Sequence, residues 1–148
     1  MSAHKATISW QRQTDSFAYT DYNRDHDWVI DSVRIAASAA PGYHGSAQRV
    51  DPEEAFVAAL ASCHMLTFLA IASRKGWVVD RYDDEATGLL SKNTEGKLGV
   101  TRVTLRPRIV FSGEKQPDDD AIGRAHDLAH KECFIANSVT TEVVVEQP

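Results

Sequence analysis

The 148-residue chain predicts an α+β fold, with antiparallel sheets around one long, buried central helix. Three observations carry that expectation. Residues 51 to 76, DPEEAFVAALASCHMLTFLAIASRKG, read as a helix that is apolar on almost every side. Residues 102 to 111 alternate, with Val103, Leu105, Pro107, Ile109 and Phe111 on one face and Arg102, Thr104, Arg106 and Arg108 on the other. The elements run in the order strands, long helix, strands, helix, strand.

Taken in chain order, KATISW and WVIDSVRIAAS are β-like pieces with a looser polar stretch, QRQTDSFAYTDYNRDHD, between them. Asp, Asn and Ser mark the turns of a three-strand meander. APGYHGSAQRVDP collects proline, glycine and serine and should be a loop. The long helix then has clear ends. Asp51 can cap it, Pro52 suits its first turn, Glu54 completes a capping box, and Gly76 follows Arg74 and Lys75. From Pro52 to Lys75 it would span about 36 Å. NTEG, residues 93 to 96, is a hairpin turn before the alternating strand, and Pro107 favours an edge strand or a bulge there. QPDDDAIGRAHDLAHKEC predicts a second helix, with Ile122, Ala125, Leu128 and Ala129 on one stripe, and SVTTEVVVE a closing strand. The length fits a single domain, residues 1–148, without internal repeats.

The net charge of −5 and a scatter of Lys and Arg argue against nucleic acid as a partner. No phosphate-cradling glycine loop occurs, so no nucleotide cofactor is expected. The first residues lack the apolar core of a secretory signal, which predicts a cytoplasmic protein. Residues 55 to 72 approach the length of a membrane span, but Ser62, Cys63, His64 and Thr67 weaken it, and a core helix is expected instead.

Cys63 and Cys133 are the two cysteines, seventy residues apart. In a reducing compartment such a pair is catalytic, redox-active, metal-bound or simply buried. A mid-helix thiol gains nothing from a helix N-terminus, and apolar burial raises its pKa. Were Cys63 to act as a thiolate, a cation would have to reach it from elsewhere. Position alone favours a small hydrophobe in the core.

The stretch DPEEAFVAALASC, with a cysteine ten residues after Glu53, and ECFIANSV before the last strand together resemble the OsmC and Ohr family of thiol peroxidases. The resemblance covers roughly residues 7 to 145. It implies an enzyme of oxidative stress defence that reduces organic hydroperoxides to alcohols. Cys63 would be the peroxidatic thiolate and Cys133 the resolving thiol, joined in a disulfide that a dithiol reductant, such as a lipoyl-type one, reduces. Glu53 matches the family's glutamate, paired with an arginine of the N-terminal sheet. Arg24 is the expected arginine, with Arg12 and Arg49 as alternatives. Ser62 and His64 depart from the alanine and aromatic residue usual beside the cysteine.

Chemically, a guanidinium stays charged and offers a fork of donors, so it can keep a thiol ionised and hold a peroxide oxygen as charge develops. Glu53 and Cys63 lie about 15 Å apart along one helix and on different azimuths, so they cannot touch within it. Either the arginine spans the gap or a second subunit supplies the polar partners. The second option also covers a helix that is apolar all round, and an intertwined two-fold homodimer is expected; the resemblance implies a homodimer too.

Two other readings stand beside this one. His126, His130 and Cys133 fall at i, i+4 and i+7 and could bind zinc, with Cys63 or His64 as a fourth ligand. An apolar pocket without catalysis, both thiols being core residues, would make the chain a small-molecule binding module. His64 points about 100° away from Cys63 around the helix and reads as a packed or hydrogen-bonded histidine rather than a base.

Overall fold

The computed structural model describes residues 1–148. They divide into two compact units, Met1–Ala55 and Phe56–Pro148. In the first, β1 (Thr7–Ser9), β2 (His26–Ile30) and β3 (Val33–Ala37) form the expected antiparallel meander in the order β1-β2-β3. WVIDSVRIAAS therefore holds two strands. It folds back at Asp31, whose φ of 53° lies in the left-handed region that Asp tolerates better than most residues. Val50 then bridges to Ala37 and brings the chain to the long helix.

Helix α1 runs from Pro52 to Arg74, and both of its ends follow the local code. Glu54 N–H donates to Asp51 Oδ1 at 2.8 Å, and Asp51 N–H to Glu54 Oε2 at 3.1 Å, which is a reciprocal capping box. At the far end Gly76 takes a φ of 77°, and Trp77 N–H reaches back to the Ala72 carbonyl at 3.0 Å. That bond spans six residues and satisfies a carbonyl the helix leaves open, as only a left-handed residue after the last turn allows.

Beyond α1, β4 (Val78–Asp84) pairs with β7 (Pro107–Ser112) in one antiparallel sheet. A second sheet has the order β5 (Thr87–Lys92), β6 (Leu98–Leu105), β8 (Glu142–Val145), in which β6 and β8 run parallel. The alternating stretch from 102 to 111 is thus two strands in two sheets, broken at Arg106. Pro107 opens β7, where its missing N–H costs no ladder bond, in agreement with an edge position. The turn at Asn93 is pinned by that side chain, which accepts from the N–H groups of Glu95 and Lys97, with Gly96 at φ 77°. Helix α2 (Asp119–Glu132) starts on Asp118, whose carboxylate accepts from Ala121 N–H at 2.7 Å.

Helix α1 buries one stripe: Leu60, His64, Phe68, Ile71 and Ala72. Leu60 packs with Val103 and Leu105 of β6, and the lower half of the stripe with Trp77, Ala125 and Ala129. At about 25 cal/mol per Å2 of apolar surface, a fully buried side chain such as Phe68 contributes roughly 1.5–3 kcal/mol. Elsewhere α1 departs from the expected all-round burial: Ala58, Ser62, Leu66 and Ala70 are exposed in the single chain. The expected stripe on α2 also shifts. Ala125, His126 and Ala129 are buried, whereas Leu128 turns outward.

Candidate active site

The thiols come from two ends of the second unit. Cys63 sits midway along α1, held in the backbone of a regular helix to whose Cys63 carbonyl Thr67 Oγ1 donates at 2.8 Å. Cys133 caps the C-terminus of α2, where the chain leaves helical geometry at φ −69° and ψ 116°. A short 3-10 turn, Ala136–Ser138, follows and directs Ala136 N–H at Cys133 Sγ, 3.4 Å away. Cys63 and Cys133 are free thiols that lie near enough for each to act on the other's charge. Two thiols seventy residues apart in the sequence are thus brought near one another.

The two sulfurs are not equivalent. Cys63 is half-buried, whereas Cys133 is only 1% exposed. Burial pushes the Cys133 thiol up, and the neighbouring Cys63 pushes it further, while the N–H groups of Ala136 and Ile135 pull it partly back. Cys133 is thus the sulfur that keeps its proton, and Cys63 the one that a molecule from outside can reach.

Cys63 opens into a groove of about 590 Å3. Along α1 it is lined by Cys63, Thr67, Ala70 and Arg74, which follow one another at i, i+4, i+7 and i+11 and so share a face. Leu66, Leu128 and Phe134 complete apolar walls, at 61%, 41% and 82% exposure. Arg74 lies about 16 Å along the helix from Cys63, too far for direct contact with its sulfur.

Behind Cys63, on the buried stripe, His64 Nε2 and His126 Nδ1 are 2.9 Å apart, and the rings lie 5.2 Å apart at 12°. Both histidines are lowered from 6.5 to about 4, chiefly by burial. The charges of His126 and His130 contribute to the shift at His64, and Asp127 opposes it at His126. His64 is the packed, hydrogen-bonded residue expected from its azimuth. Its partner was not foreseen, because histidines 62 residues apart show no pattern in the sequence.

The zinc reading does not assemble. His126 turns inward to His64, His130 is exposed, and no three His, Cys, Asp or Glu side chains converge. The remaining expected site residues lie in the first unit. Glu53 is half-buried in the first turn of α1. Arg24 stacks over the Tyr22 ring at 3.5 Å and the Tyr19 ring at 5.0 Å, and donates to the carbonyls of both residues; it forms no ion pair with Glu53 within the chain. Arg49 pairs with Asp25 at 3.3 Å and Asp27 at 3.8 Å, while Arg12 donates to the carbonyls of Thr14 and Asp15.

An α+β chain whose long helix carries a reachable cysteine, with a buried second cysteine near it, defines a protein with a pair of neighbouring free thiols. The family model for OsmC-like proteins matches residues 44–147, and the chain belongs to that family. An OsmC-like protein of unknown function from Vibrio cholerae is 50% identical over the full length of both chains, with a TM-score of 0.92. The uncharacterised protein YmaD of Bacillus subtilis (strain 168) is 26% identical over 129 residues, 84% of each chain. The organic hydroperoxide resistance protein OhrB of Bacillus subtilis shares the fold, with a TM-score of 0.71 at 18% identity, over 99% of this chain and 98% of its own.

Proposed function

We propose that the protein is a cysteine-based peroxidase that reduces organic hydroperoxides to alcohols and so serves oxidative stress defence in a reducing, cytoplasmic setting. The observation that carries the reading is the proximity of a reachable Cys63 to a buried Cys133. In the first step the Cys63 thiolate attacks the peroxide O–O bond; one oxygen stays on sulfur as a sulfenic acid and the other leaves, with a proton, as the alcohol. The Cys133 thiol then condenses with the sulfenic acid, forming the disulfide and releasing water. An external dithiol, in this reading a lipoyl-type one, reduces the disulfide by exchange. The groove beside Cys63 is apolar enough to take the organic part of such a peroxide.

The activating cation in this proposal is Arg24, oriented by Glu53. Arg24 has no carboxylate partner within its own unit, so its charge remains available. The two residues and Cys63 come together in an intertwined homodimer whose contacts cover the exposed apolar face of α1. This assembly supplies the guanidinium that α1, with Arg74 about three turns away, does not.

A groove of this kind also suits a non-catalytic binding module, but that reading assigns no work to two neighbouring thiols, one of them at the groove. The deciding test is consumption of cumene hydroperoxide, with dihydrolipoamide as reductant, by the wild type and Cys63→Ser. Loss of turnover in the variant is expected. Equal rates would refute the proposal.

A further inference from the structure

The helices that bring Cys63 and Cys133 together have little to lock their register. Against Phe68, Ile71 and Ala72 of α1, helix α2 sets Ala121, Ala125 and Ala129, with the half-buried Ile122 its one bulky aliphatic side chain there. With so few bulky ridges seated in grooves, such a contact resists sliding less than a contact of large side chains does. One side-chain hydrogen bond joins the helices, from His64 to His126 at 2.9 Å. Phe68 stacks on His126, with centroids 4.4 Å apart, and both histidines are buried at 1% and 4% exposure.

The position of this bond matters. His64 directly follows Cys63, and His126 lies seven residues, about two turns, before Cys133 on α2. The bond also has a definite direction. It needs one donor and one acceptor, and His64 Nδ1 is buried without a partner. A buried N–H left unbonded is less tolerable than a buried acceptor, so His64 carries its proton on Nε2 and donates to His126 Nδ1.

We propose that the His64–His126 bond is the positioning element of the thiol pair, fixing α2 on α1 so that Cys133 Sγ stays in condensing range of Cys63 Sγ. Disulfide geometry leaves little slack: the sulfurs must close to about 2.05 Å with Cα atoms within about 7 Å. A misplacement of about 1 Å can cost on the order of a hundredfold in an oriented reaction. The inference rests on the pair being redox-active, as proposed above, but not on which oxidant it meets.

Equilibration of the full chain with reduced and oxidised glutathione tests it without any peroxide. Two protein thiols and one oxidised glutathione give the protein disulfide and two reduced glutathiones, and mass spectrometry after acid quenching reads the ratio. His126→Leu, which cannot accept the bond, should lower that equilibrium constant by about tenfold or more. His126→Asn, whose Oδ1 can stand where Nδ1 stood, should remain within about twofold of the wild type. His64→Phe keeps a ring in the stack and removes the donor, so it should reproduce the loss even if His126→Leu folds poorly. Unchanged constants in His126→Leu and His64→Phe would overturn the inference, as would an equal loss in His126→Asn or a wild type that forms no disulfide at any ratio. A wild type that forms the disulfide with glutathione but not with hydroperoxide would remove the peroxidase reading, while the variant series still decides this one.

Discussion

The two faces of α1 both carry apolar side chains and have opposite fates. On one, Leu60, His64, Phe68, Ile71 and Ala72 are sealed against β6, α2 and the β4–β7 sheet, and the one polar residue among them, His64, is hydrogen-bonded to His126 of α2. On the other, Cys63, Thr67, Ala70 and Arg74 line an open groove, with Leu66 beside them at 61% exposure. The buried face is finished by the chain alone. The open face combines apolar surface with the more reachable of the two thiols, which is the combination expected where a ligand or a partner lands. The comparison teaches that stability and chemistry are assigned to different sides of a single helix, one residue apart at Cys63 and His64.

The largest effect that would sharpen this contrast is at the sulfur of the open face. Cys63→Ser should lower hydroperoxide turnover at least about a thousandfold, because a hydroxyl there has no base to ionise it. Cys133→Ser should still oxidise once, but turn over poorly and collect sulfinic acid on Cys63, visible by mass spectrometry.

On the buried face the readout is stability instead. Phe68 is fully buried between Tyr82 and His126, and Phe68→Ala should cost about 3–5 kcal/mol in urea unfolding. A cost below about 1 kcal/mol would mean that this face is not the sealed one.

The histidine pair gives that face a pH signature. Both residues sit at about 4 when folded, against 6.5 when unfolded. As pH falls through 6.5 the unfolded chain takes up protons that the folded chain does not, so stability is complete above that value and declines toward pH 4. At about 1.4 kcal/mol per pH unit the decline is on the order of 3 kcal/mol for the coupled pair. Urea midpoints measured from pH 7.5 to 4.5 should show it, with a shallower slope in His126→Asn. A flat profile would place the histidines in water.

The smallest effect belongs to the open face as an interface. Leu66→Glu should leave the monomer's fold intact and weaken self-association at least about tenfold in sedimentation equilibrium, since it sets a charge where an apolar side chain is covered. Unchanged association would move the dimer contact to another surface.

Much of the fold was legible because its signals are local. The capping box at Asp51 and Glu54, the left-handed Gly76 and the Asn93 turn each need only a few adjacent residues, and each forms as its sequence predicts. Alternation told less from Arg102 to Phe111, since a period of two continues on either side of Arg106 whether or not the chain changes sheets there. The thiol pair was reached through a family resemblance, because nothing within seventy residues of spacing encodes proximity. The histidines show the reverse case. His126 and His130 at i, i+4 looked like metal ligands, but their spacing could not show that one turns inward to a third histidine while the other stays in solvent. Leu128 fitted the core stripe of α2 by period, yet lies at the groove, since periodicity marks an apolar face without saying what meets it.

The most direct measurement is intact-mass analysis, after acid quenching and thiol alkylation, of reduced protein given one equivalent of cumene hydroperoxide. The account predicts that both thiols vanish together, leaving a chain lighter by two hydrogens and a peptide pair linking Cys63 to Cys133. A protein whose two thiols are both still alkylated after that exposure would contradict it.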